Sequence, residues 1–389
     1  MTEMTYGAAP AADHEPIVPR WWHTVDRWSL ALIVVLFLLG LLLGQAASPP
    51  LAERNGLGAF HYVTRQAFFG TVALIVMVII SMMSPKAVRR WAVVGFIAAF
   101  VAVALLPGLG TDYGKGAVRW YSLGFMSLQP SEFLKPGFVV FGAWLMSASF
   151  TRNGPPGRTL ATGVAALIVL MLALQPDFGQ ASLIVAAWAV MLFISGAPMW
   201  LILGLASIVG AFGVMAYNSS DHVARRIDGF LNPTIDPLSQ IGYAQAAIRE
   251  GGLFGVGLGE GRIKWRLPDA HTDYIIAVAA EEYGLVLVLV VIALFATLAI
   301  RALWRLRREK DPFIRIAGAG LAGLLAVQAF INIGVSARLL PEKGMTLPFV
   351  SYGGSSVVAA GITLGMLLAF TRMRPQEDIE DAFFVRRVP

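Results

Sequence analysis

Cysteine is absent from the 389 residues. The chain therefore has no disulfide, no thiolate metal site and no cysteine nucleophile. Charge is scarce too: 14% of residues are Asp, Glu, Lys or Arg, against roughly a quarter in a soluble domain. Hydrophobic residues make up 57%, and mean hydropathy is +0.68. Strand-like alternation is missing, which argues against a β-barrel. No internal repeat is visible, which weighs against an inverted-repeat transporter. What remains is an all-α polytopic membrane protein. The net charge of +6 does not point to nucleic acid, because basic residues in such a chain mark cytoplasmic loops. Residues 1–20 hold Glu3, Asp13 and Glu15 and lack the basic start of a signal peptide. The first apolar run is expected to stay as an anchor.

Charge-free windows lie at 28–52, 66–85, 91–111, 136–151, 159–176, 178–220, 283–300, 316–337 and 344–371. A spanning helix needs about 20 apolar residues. The 178–220 window is twice that long and contains S-G-A-P at 195–198, a turn signal, so it divides into two helices. Ten transmembrane helices follow, the fourth starting near Pro130 and the eighth near Asp273. A large extracytoplasmic loop, 219–272, separates helices 7 and 8. The expected layout is a cytoplasmic tail (1–27), a transmembrane domain (28–372) and a second cytoplasmic tail (373–389). With both termini inside, 17 of the 30 basic residues are cytoplasmic, in keeping with the positive-inside rule. Six of the others sit in the long loop and need another explanation.

Four stretches put polar groups where lipid is expected. In 114–136, Glu132 and Lys135 are three apart and share a helix face. They are either a neutral pair at a helix start capped by Ser131, or the polar wall of a cavity. Arg119, beside Trp120 and Tyr121, is either an interfacial anchor or part of the same wall. In Q-P-D-F-G-Q (175–180), Asp177 is a turn aspartate or the partner of a buried cation. In 249–282, G-V-G-L-G-E-G superficially resembles a dinucleotide loop but lacks the βαβ setting; its glycines suit close backbone packing. Arg262, Lys264 and Arg266 follow at spacing two. If that segment is extended, they form a cationic strip on one side, fit for a pyrophosphate or for anionic lipid. Asp273, after Thr272, which can cap the helix, is a helix-dipole carboxylate or a general base. Glu281 and Glu282 lie deeper and need a cationic or hydrogen-bonding partner. The last stretch, 337–356, holds Arg338, Lys343 and S-Y-G-G-S-S from Ser351. Broken backbone at membrane depth is tolerated where it is buried or lines a polar cavity.

These pieces together resemble one family. W-Y-S-L-G-F-M-S-L-Q-P-S-E-F-L-K (120–135), Q-P-D-F-G-Q, G-V-G-L-G-E-G (255–261), L-P-D-A-H-T-D-Y-I-I-A-V-A-A-E-E-Y-G (267–284) and P-F-V-S-Y-G-G-S-S (348–356) are similar, in this order, to the SEDS family of bacterial membrane proteins (shape, elongation, division and sporulation). The likeness covers all but the two tails. L-L-P-E-K-G-M-T-L-P (339–348), with Lys343, resembles the cell-division branch more than the elongation branch, as does the polar N-terminal extension. Tyr274 stands where the family more often has phenylalanine.

The resemblance implies a peptidoglycan glycosyltransferase of the bacterial inner membrane that polymerises lipid II during septal cell-wall synthesis. It implies a class B penicillin-binding protein transpeptidase of the FtsI type as partner, with other divisome membrane proteins of the FtsQ, FtsL and FtsB type. The family's essential aspartate falls on Asp273, and its polar residues fall on Glu132, Lys135 and Asp177. The reaction asks for a base, for cations at the leaving pyrophosphate and for a groove open to lipid. Asp273 is the candidate base. Lys343, Arg262, Lys264, Arg266, Arg338 and Arg119 are candidate substrate contacts, with Glu132, Lys135, Asp177, Glu281 and Ser351 lining the site. No metal ligand cluster is evident, and a magnesium or manganese ion bridging Asp273 and pyrophosphate stays an open alternative. The rival readings are a lipid II flippase, an elongation-type polymerase and a non-enzymatic scaffold.

Overall fold

Apolar runs close their own backbone hydrogen bonds as helices, the form that a lipid environment demands. The computed structural model describes residues 16–114, 117–124, 126–151, 153–219, 221–231 and 236–373. The tail assignments for 1–15 and 374–389 lie outside the described residues. In chain order the helices are α1 (Ile17–Thr24), α2 (Arg27–Arg54), α3 (His61–Met82), α4 (Pro85–Leu109), α5 (Pro130–Ala148), α6 (Gly157–Leu174), α7 (Phe178–Ile194), α8 (Met199–Ser219), α9 (Asp221–Leu231), α10 (Gln240–Gly251), α11 (Ile275–Leu306), α12 (Pro312–Ser336) and α13 (Gly354–Phe370). Six of them, α2, α3, α4, α6, α11 and α12, are long and apolar enough to cross a membrane; α7 and α13 are apolar but shorter. The chain is thus an all-α polytopic membrane protein. The 178–220 window divides at 195–198, and α5 begins at Pro130, where proline fits the first helical turn. Strands β1 (Tyr121–Ser122) and β2 (Ser127–Leu128) form a two-residue antiparallel hairpin, Tyr121 opposite Leu128.

Two helix caps differ from expectation. Gln129, not Ser131, is the N-cap residue of α5, and the Ser131 hydroxyl is buried without a partner among the described residues. α11 begins at Ile275, past Asp273. The amides of Thr272, Asp273 and Tyr274 all donate to the Asp269 carbonyl (3.1, 3.1 and 3.3 Å), so a tight turn precedes the helix. The Thr272 hydroxyl also bonds Asp269 O (3.2 Å) instead of capping.

α12 is central, packed on α5, α7 and α11; α13 lies on α3, α4 on α5 and α10 on α11. At Gly284, α11 breaks: φ is 79° and ψ −179°, a conformation that glycine adopts freely. A Cβ there would also overlap the Leu253 carbonyl. The loop after α10 splices into the break. Val256 N and Gly257 N donate to the carbonyls of Glu281 (2.9 Å) and Glu282 (3.2 Å), and Leu285 N and Val286 N donate to Gly252 O (3.0 Å) and Leu253 O (3.3 Å). The glycine-rich stretch therefore serves close backbone packing, and the freed helix groups are satisfied by protein.

Candidate functional site

The turn before α11 holds Asp273 at the edge of a cavity of about 1800 Å³. Asp273, Lys343, Arg119, Asp177 and Glu132 all line it, although they come from four separate stretches of sequence. The non-helical segment after α12 brings Lys343 and Asp273 together. Gly344 lies against Asp273, and a Cβ on it would stand 3.2 Å from Asp273 Oδ2. Tyr274 OH donates to Glu342 Oε1 (3.3 Å). Burial, then the nearby Glu342 and Asp273 carboxylates, raise the Tyr274 pKa, which keeps the phenol protonated as that donor.

Lys343 Nζ donates to Ser182 Oγ on α7 (3.2 Å), and burial lowers its pKa. A cation with few fixed partners in a partly desolvated place interacts strongly with an incoming anion. Beside it, Asp177 caps α7, its Oδ1 accepting from Gln180 N (3.5 Å) and its Oδ2 from Gln129 Nε2 (3.3 Å). Burial raises the Asp177 pKa, against the pull of Arg119. Arg119 is held by the carbonyls of Gln175 (3.4 Å) and Pro176 (2.5 Å), so it is a fixed part of the wall.

Behind this wall runs a buried polar chain. Gln180 Nε2 donates to Glu132 Oε1 (2.5 Å), and Lys135 Nζ donates to Glu132 Oε2 (2.8 Å) and Gln328 Oε1 (3.4 Å). Glu132 faces the cavity while Lys135, 2% exposed, sits behind it. The pair is therefore both neutralised and part of the wall. Beyond this layer the lining on α6 and α7 is mostly apolar, with Thr162 as a polar residue. Towards the other ends of α6 and α7 the cavity continues as a groove of Ala165, Val169, Val185 and Leu205.

The cationic strip expected at 262–266 does not form. Ile263–Trp265 is a 3₁₀ turn, because Glu281 draws it inward: Glu281 accepts from Ile263 N (2.6 Å) and Lys264 N (3.0 Å). Lys264 is 4% exposed and pairs with Glu282, while Arg262 and Arg266 stay exposed. None of these five lines the cavity. Glu282 has the buried cation its depth demands, and Glu281 has hydrogen-bonding partners in the backbone amides of Ile263 and Lys264. Ser351, fully buried, accepts from Leu347 N (2.9 Å) and closes a turn. Arg338 reaches Phe230 O (3.3 Å), again outside the cavity lining.

Sequence reading passed over several side chains. Gln129, Gln180 and Ser182 sit beside singled-out residues, and only long-range contacts reveal them. Gln328 and Asn332 left a signal: polar residues four apart in an apolar helix. Among the described residues, no group of three or more His, Asp or Glu gathers to hold a metal ion.

Comparison with known proteins completes the picture. The model of the cell cycle protein family that groups FtsW, RodA and SpoVE matches residues 27–376. A Caulobacter vibrioides protein named "Probable peptidoglycan glycosyltransferase FtsW" is 44% identical over 356 residues, 91% of each chain. Stage V sporulation protein E of Bacillus subtilis is 33% identical over 359 residues, covering 88% of this chain and 96% of that protein. The crystal structure of Thermus thermophilus rod shape determining protein RodA superposes with a TM-score of 0.66 at 26% identity, covering 90% and 97% of the two chains. A chain from a peptidoglycan synthase complex that coordinates polymerization and crosslinking does so with 0.72 at 26%, covering 89% and 97%.

Proposed function

The chain belongs to the cell cycle protein family of FtsW, RodA and SpoVE, and on that premise we propose how its cavity works. It is a peptidoglycan glycosyltransferase of the division type, a multi-pass membrane enzyme that polymerises lipid II. One observation supports this most: the cavity joins a charged end, with Asp273, Lys343 and Arg119, to an apolar groove along α6 and α7. A polyprenyl pyrophosphate sugar has the same two halves. The volume exceeds the usual range of about 300–1,000 Å³ for small-ligand pockets, leaving room for two large substrates.

In this reading Asp273 accepts the proton of the attacking sugar hydroxyl. The new glycosidic C–O bond forms as the bond from the anomeric carbon to pyrophosphate breaks. Lys343 and Arg119 face the charge that develops on the leaving group. Single displacement inverts the α-linked donor to a β-linked glycan, with no covalent enzyme intermediate. Asp177 and Glu132 shape the wall beneath the sugars. Arg262, Lys264, Arg266, Glu281 and Ser351 build the frame around it.

The flippase reading is less well supported, because the groove beyond Asp177 offers Thr162 as its polar lining towards the far end of α6. The partner is a penicillin-binding protein of class B that crosslinks the strands, within a divisome of FtsQ-, FtsL- and FtsB-type proteins. We place the enzyme at the septum in the inner membrane, with ten spans, both termini cytoplasmic and the 219–272 loop outside. The test is lipid II given to the purified protein with its transpeptidase partner. Glycan strands resolved on gels are expected. Translocation of fluorescent lipid II across vesicles without polymer would instead identify a flippase.

A further inference from the structure

Beyond Arg315 near its start, α12 is apolar except for Gln328, Asn332 and Ser336. Four residues apart, they share one helix face. The Ser336 hydroxyl turns back to Asn332 O (3.1 Å). The two amides reach outward. Gln328 Nε2 donates to Thr346 O (2.9 Å), and Asn332 Nδ2 donates to both Met345 O (2.6 Å) and Asp273 O (3.0 Å). Asn332 is 1% exposed. Its nitrogen must face the two carbonyls, since its oxygen would repel them.

The Asp273 carbonyl accepts from this donor. At the start of α11, Ala277 N and Val278 N both bond to Tyr274 O (2.9 and 3.3 Å), one residue further on. The Asp273 peptide is thus held at its amide by Asp269 O and at its carbonyl by Asn332. Through Met345, the same nitrogen holds the segment that carries Lys343 and Gly344. One side-chain atom therefore couples the two strips of chain that bring Asp273 and Lys343 to the cavity.

We propose that Asn332 is a positioning residue for glycan polymerisation: it fixes Asp273 against the Lys343 segment without touching substrate. The inference rests on Asp273 being the base. A displacement of an ångström at a reacting group can lower a rate by about 100-fold, whereas groove contacts that set substrate affinity stay in place.

The experiment uses the full-length protein with its transpeptidase partner and lipid II. Asn332→Leu keeps the heavy-atom count and branching and removes both donations. Its kcat is expected to fall roughly 10- to 100-fold with KM changed less than about three-fold. Asn332→Asp keeps the shape, and its carboxyl can donate again only when protonated. Its deficit relative to the parent at the same pH is expected to shrink as pH falls, while that of Asn332→Leu does not. This pH signature also serves if Asn332→Leu proves too unstable to assay. Gln328→Leu removes a neighbouring buried amide that does not bond Asp273, and is expected to lower kcat less. Undiminished kcat in Asn332→Leu, an equal loss in Gln328→Leu, or the absence of the pH-dependent recovery would overturn the proposal. Asp273→Ala is measured alongside. If it polymerises normally, the base reading itself fails; if it is inactive while Asn332→Leu is not impaired, only this inference fails.

Discussion

Replacing Lys264 and Lys343 by methionine separates a cation that holds the fold from one that serves the site. Lys264 is buried against Glu282, whose side chain is 0% exposed and whose Oε2 has no hydrogen-bond partner among the described residues. Lys264→Met leaves that carboxylate buried without its cation. Breaking a buried pair in this way costs about 3–5 kcal/mol, a large part of a typical total of about 5–15 kcal/mol. Lys343 makes one hydrogen bond to Ser182 (3.2 Å), and its burial already opposes its charge. Lys343→Met therefore changes stability by about 1 kcal/mol or less, since a lost hydrogen bond is offset by relief of desolvation. Its effect falls on substrate. The assay is thermal unfolding in detergent, followed by the fluorescence of the 10 tryptophans, with lipid II polymerisation measured on the folded fraction. Lys264→Met is expected to melt well below the parent, and Lys264→Met combined with Glu282→Gln to recover much of the loss. Lys343→Met is expected to melt like the parent and polymerise poorly. A Lys264→Met protein that melts normally but shows a raised KM for lipid II would refute this reasoning and restore Lys264 as a substrate contact.

Three further outcomes follow from the same geometry. Burial lowers the Lys343 pKa, so its charge is lost at lower pH than that of an exposed lysine; the alkaline limb of the pH–rate profile should begin below the ordinary lysine range and move upward in Lys343→Arg. For Asp177 the folded pKa is raised by burial, so stability is lost as pH rises through it. Asp177→Asn should therefore raise the melting temperature at neutral pH while lowering polymerisation, a trade common at functional sites. Gly344→Ala would put a Cβ 3.2 Å from Asp273 Oδ2, and single-turnover rates should fall roughly 10-fold or more as the carboxylate is displaced, with folding retained.

The helices were legible because lipid forces a simple rule: about 20 apolar residues per span, with breaks at Gly and Pro. That rule located the S-G-A-P division and the start at Pro130. Asp273, Lys343 and Asp177 were legible through the motifs around them. Lys264 was not, because its partner lies 18 residues away on α11, and spacing alone suggested an extended strip where Glu281 instead winds a 3₁₀ turn. Ser131 and Thr272 looked like caps, but each helix is capped two residues away, at Gln129 and Tyr274. Asn332 could have been noticed as a polar residue inside α12, yet its role depends on which carbonyls face it, and only the packed structure shows that.

The central claim, that Asp273 does the chemistry in a cavity built by the rest, is tested most directly by Asp273→Asn. This substitution keeps size and shape and removes the basic carboxylate. Purified with its partner and given lipid II, the variant should bind substrate and melt as the parent does, with glycan synthesis reduced to background. Polymerisation at the parent rate would contradict the account.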